Sequence, residues 1–74
     1  MATLRLFANL RESAGTESVD IDAPTVGDLL AAASDRFGDG FRAGLDASGV
    51  WVNGEVADSD TAITADDEVA VIPP

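Results

Sequence analysis

The sequence predicts an α+β fold in which one amphipathic helix lies across one face of a mixed β-sheet. Three observations predict it. Two short stretches near the N-terminus alternate apolar and polar residues. A 3.6-residue period then takes over from Val26 to Phe37. Short apolar runs return from Val50 onward, separated by turn residues. Strands on both sides of one main helix are the pattern of an α+β domain. At 74 residues the chain reads as one domain, residues 1–74, without repeat, linker or low-complexity tract. A domain this small buries only roughly 60% of its unfolded surface, so its core is thin.

In Thr3 to Ala8, Leu4 and Leu6 share one face while Arg5 and Phe7 share the other. This reads as a strand buried on one side. Asn9 to Thr16 is polar, carries a glycine and is read as a loop. Glu17 to Asp22 alternates again, with Val19 and Ile21 inward, so an N-terminal hairpin is expected. Pro24 stops the second strand. Val26, Leu29, Leu30, Ala33 and Phe37 then form the stripe of an amphipathic helix. Thr25 is its expected N-cap, with Asp28 three residues on as in a capping box. Gly38 is its expected C-cap.

Gly38 to Asp46 is read as a glycine-rich connection anchored in the core by Phe41 and Leu45. Val50-Trp51-Val52 runs into Asn53-Gly54, a strong hairpin signal because both residues tolerate positive φ. Glu55-Val56 is the short return strand. Ala57 to Asp66 is polar, with Ile63 plugging the core, and Asp66-Asp67 makes a turn. Glu68 to Ile72 is the last strand, with Val69 and Val71 inward, and Pro73-Pro74 ends it.

Composition excludes several kinds of chemistry. Fourteen acidic side chains face four basic ones, for a formal net charge of −10. Such a chain repels phosphate backbones and anionic membranes, so neither nucleic acid nor membrane is expected as a partner. A basic protein surface is the natural counterpart, although solubility or life at high salt also explains the acidity. All four cations are arginine, and lysine, histidine and cysteine are absent. The usual general bases, thiol nucleophiles and Schiff-base amines are therefore missing. Asp58-Ser59-Asp60 resembles the start of a calcium loop but lacks its later glycine and glutamate, so no metal is expected. Gly38-Asp39-Gly40 follows a helix rather than a strand, which argues against a phosphate loop. No signal peptide or membrane span is evident, and the expected location is the cytoplasm.

The outward-facing apolar residues carry more information. Alternation places Phe7, Trp51 and Ile72 opposite the inward sets Leu4/Leu6, Val50/Val52 and Val69/Val71. If the strands share a sheet, the outer face gathers two aromatics and an isoleucine. Val56 and the Pro73-Pro74 exit stand beside them, with Arg11 at the edge. An exposed apolar cluster marks a partner surface. The alternative is that Trp51 belongs to the core or is covered by a loop.

The pattern resembles a known family. Leu6 to Gly15, Pro24 to Leu30, Val52 to Glu55 and above all Asp67 to Pro74 are similar, in order and spacing, to the molybdopterin synthase small subunit. That family is the MoaD/ThiS type of ubiquitin-like sulfur carrier. The resemblance spans the whole chain and implies a β-grasp fold. It also implies a function. An E1-like enzyme adenylates a C-terminal Gly-Gly carboxylate with ATP, the adenylate becomes a thiocarboxylate, and the tail enters the large synthase subunit. There its sulfur helps build molybdopterin. The small subunit is then a carrier without catalytic residues or cofactor of its own, monomeric alone and heterotetrameric with its partner.

In relatives two variable residues and then Gly-Gly follow the position of Pro74, so the expectation is a native tail that continues to Gly-Gly. By the same resemblance, Phe7, Val56 and Ile72 match positions that contact both partners. Three other readings stay open: a protein modifier joined to target lysines, as in acidic archaeal relatives; a sulfur carrier for thiamine or cysteine synthesis; and a tail-less β-grasp binding module.

Overall fold

Alternation along the strands decides which side of the sheet is sealed. The computed structural model describes residues 1–73. The elements in chain order are β1 (Ala2–Leu6), α1 (Ala8–Ala14), β2 (Ser18–Ile21), α2 (Val26–Phe37), α3 (Asp39–Asp46), β3 (Gly49–Val52), β4 (Glu55–Val56) and β5 (Glu68–Ile72). The five strands form one sheet in the order β2-β1-β5-β3-β4. The central pair β1 and β5 is parallel, and every other neighbouring pair is antiparallel. This mixed sheet with a helix laid across it is the β-grasp arrangement.

The inward residues of β1 and β5 (Leu4, Leu6, Val69, Val71) are fully buried against Val26, Leu29 and Ala33 of α2, with Ile63 plugging one end. Val19, Ile21, Val50 and Val52 pack on the rim of this core. The start of α2 is set locally: the Asp28 backbone N–H donates to Thr25 Oγ1 at 3.2 Å, satisfying one orphan donor of the first turn. At its end the Gly38 N–H donates to the Ser34 carbonyl at 2.8 Å, with Gly38 at φ 95°. The Asn53-Gly54 turn has φ of 51° and 85°, the left-handed pair expected for this dipeptide.

Two segments differ from the sequence reading. Asn9 to Thr16 is not a loop: Ala8–Ala14 is a helix, closed by Gly15 at φ 75° with its N–H on the Arg11 carbonyl. So short a helix offers only Leu10 and Ala14 as a periodic pair, too little to stand out from a polar loop. Gly38 to Asp46 is likewise mostly helix. Phe41 and Leu45 do anchor it, one turn apart, but Gly40 and Gly44 depress its propensity. The sheet face is therefore covered by three helices rather than one. Phe41 is fully buried, its ring centroid 5.2 Å from that of Phe37, which binds α3 to the end of α2.

Candidate functional site

All the helices pack on the inner face of the sheet, so the outer face is open. Register then places the outward residues. Leu6 pairs with Val71 across the parallel β1–β5 ladder, so Phe7, the extended residue that follows, stands level with Ile72. Ile72 pairs with Gly49, Ala70 with Trp51, and Trp51 with Val56. Phe7, Ile72, Trp51 and Val56 thus form an apolar band across four strands at the end of the sheet where β5 leaves it. Phe7 is 38% exposed, Ile72 42% and Val56 82%, while Trp51 is partly buried. The indole is not a core residue. It stays on the outer face and lies back over Gly49.

Arg11 is exposed, one helical turn beyond Phe7, and its N–H reaches the Phe7 carbonyl at 3.4 Å. Among the described residues the ion pairs are Arg5–Glu68 at 3.8 Å and Arg42–Asp35 at 3.3 Å, which leaves Arg11 outside them at the edge of the band. Pro73 is partly buried directly after Ile72. Pro74 lies outside the described residues.

The junction before α1 holds an unusual backbone. Ala8 has φ 51°, in the left-handed region that residues with a Cβ seldom occupy. Phe7 itself is extended, at φ −132° and ψ 154°. The chain thus leaves β1 with Phe7 still following the pleat and turns sharply only at Ala8. Sequence reasoning carried the first strand through Ala8 and missed the turn there, since alanine carries no positive-φ signal. It also passed over Gly49, which no motif singles out.

Elsewhere several acidic residues serve local structure. Asp58 Oδ1 accepts from the Asp60 N–H at 3.0 Å and the Thr61 hydroxyl at 3.3 Å, which makes a turn of the Asp58-Ser59-Asp60 stretch. Gly38-Asp39-Gly40 is the joint between α2 and α3. Among the described residues no acidic groups converge to hold a metal ion, and no pocket opens. No helix there is long and apolar enough to cross a membrane.

A β-grasp sheet with an apolar band at its chain exit is the form of a ubiquitin-like carrier. The chain belongs to the ThiS family, which it matches over residues 4–74. Among solved structures it is similar to small archaeal modifier protein 1 from Haloferax volcanii, with 34% identity over 99% of this chain and 95% of that one, at a TM-score of 0.83. It is also similar to a putative molybdopterin converting factor subunit 1 from Pyrococcus furiosus, at 27% identity over 99% and 95% of the two chains and a TM-score of 0.85. A complex of subunits 1 and 2 of the molybdopterin-converting factor from Helicobacter pylori shares the fold at 20% identity, over 99% and 92%, with a TM-score of 0.77. No curated protein matches the chain by sequence.

Proposed function

We propose that this protein is the small, sulfur-carrying subunit of a molybdopterin synthase. The observation that carries the reading is the level placement of Phe7 and Ile72 beside the exit of β5, in a chain that belongs to the ThiS family. Phe7, Val56 and Ile72 dock on an E1-like adenylating enzyme and then on the large synthase subunit. Trp51, Arg11 and the Pro73-Pro74 exit border that contact. The tail continues past Pro74 to Gly-Gly, which threads a narrow active site because glycine has no Cβ to collide. Adenylation makes the terminal carboxylate an electrophile, and a sulfur nucleophile displaces AMP to leave a thiocarboxylate. The chain supplies the docking surface and the carboxylate, and its partners supply the catalysis. The setting is cytoplasmic, and the free carrier is a monomer.

The 34% identity to an archaeal modifier, together with the −10 charge, supports a second reading as a modifier of target lysines. Intact mass of the protein from its native cell separates the readings. A Gly-Gly tail with a fraction ~16 Da heavier, oxygen exchanged for sulfur, is expected for the carrier. Conjugates to other proteins without that fraction support the modifier. A mass that ends at Pro74 removes the sulfur chemistry and leaves a binding module.

A further inference from the structure

Gly49 opens β3, yet it is not one of the glycines with positive φ, so the backbone does not require it. Glycine inside a strand weakens pairing and gives up side-chain packing. What occupies the space is the Trp51 ring. A Cβ built on Gly49 would stand 2.5 Å from Trp51 Cη2 and 2.6 Å from Cζ3, well inside van der Waals contact. The far edge of the indole, Cη2 and Cζ3, occupies the position that a side chain at residue 49 would fill. Gly49 is the cross-strand partner of Ile72, so the ring is brought alongside Ile72 and bridges from there toward Val56.

We propose that Gly49 is a positioning residue for docking: by leaving its outer face bare it lets the Trp51 ring reach back over it, and the indole so placed joins Phe7 and Ile72 to Val56 as one continuous apolar plateau. This rests on the carrier reading and names the occupant, the large synthase subunit, through an apolar patch ringed by lysine and arginine. Charge complementarity argues for that ring. The chain carries −10, and Glu55 adjoins Val56. Any side chain at residue 49 tilts the indole off the sheet and splits the plateau between Ile72 and Val56.

The test is a double-mutant cycle of Gly49→Ala and Trp51→Leu, with the full-length carrier titrated against its purified large subunit by calorimetry and each melting temperature measured in parallel. Gly49→Ala is expected to weaken binding about five- to tenfold while Trp51 is present, and less than about twofold in the Trp51→Leu background, as for an anchor in a central apolar contact. Trp51 is the sole tryptophan and the chain lacks tyrosine, so acrylamide quenching of its emission should rise in Gly49→Ala. Equal losses in both backgrounds, or unchanged affinity, would overturn the proposal. So would a Gly49→Ala chain that unfolds while the double variant folds, since the glycine would then serve stability alone. A wild-type carrier that ignores the large subunit would overturn the carrier reading along with it. Tight wild-type binding with an unaffected Gly49→Ala would overturn only this inference.

Discussion

Asn53 and Asp67 hold each other across the base of the sheet, the Asn53 Nδ2 donating to Asp67 Oδ1 at 2.9 Å. The second oxygen of Asp67 accepts the Thr64 N–H at 2.8 Å, and Asn53 Oδ1 accepts the Glu68 N–H at 2.9 Å. The hairpin turn is thereby tied to the start of β5. The Thr64 N–H first, then the Asn53 amide, hold the Asp67 carboxyl below its ordinary value of 3.8. A lowered carboxylate stabilises the fold fully above its unfolded pKa, and that contribution is lost as pH falls through the folded one. Wild type is therefore expected to exceed Asp67→Asn in stability at neutral pH, with the gap closing below about pH 3.8. Urea denaturation of both chains at stepped pH reads this directly, and a gap independent of pH would refute it.

Gly44 faces Leu10 where α3 meets α1. A Cβ there would stand 2.7 Å from Leu10 Cδ2, and Leu10 is fully buried with little room to yield. Helix propensity alone favours alanine over glycine by about 1 kcal/mol. Overpacking a filled site costs about 1–3 kcal/mol. Gly44→Ala is expected to lower stability on balance, which thermal unfolding would show. A raised melting temperature would mean that Leu10 can move aside.

Phe7→Ala and Ile72→Ala should separate docking from folding. Both residues are more than a third exposed, so truncation costs the domain less than loss of a fully buried core residue would. Loss of an interface anchor costs about 1.4 kcal/mol or more, a tenfold weaker affinity for the large subunit. The melting temperature should fall only modestly, with the chain still folded. A lowered melting temperature with unchanged affinity would place the two residues in the core instead.

Salt should stabilise the fold. At about 0.01 M ionic strength the Debye length of roughly 30 Å exceeds the longest molecular extent of 26 Å, so the acidic groups repel one another across the whole domain. At about 1 M that length falls to roughly 3 Å, and the self-repulsion of a −10 chain is screened. The melting temperature is expected to rise steadily over this range. A flat or falling profile would mean that the ion pairs Arg5–Glu68 and Arg42–Asp35 outweigh the repulsion.

Much of the fold was legible without coordinates because its signals are local. The stripe from Val26 to Phe37, the Thr25 cap and the Gly38 stop define α2 through i, i+3 and i, i+4 spacing alone. The Asn53-Gly54 turn and the alternation of Glu68 to Ile72 are equally short-range. Alternation also placed Phe7, Trp51 and Ile72 on the outer face, since a period of two admits only two sides. The two short helices escaped because their apolar pairs, Leu10 with Ala14 and Phe41 with Leu45, are single turns that become stable only by packing on each other and on the sheet. The order β2-β1-β5-β3-β4 and the placement of Phe7 level with Ile72 join residues far apart in the chain, and only the tertiary structure could decide them. The Trp51 ring over Gly49 belongs with these. Period two placed both residues on one face, but where the indole lies depends on its rotamer and on the strands beside it.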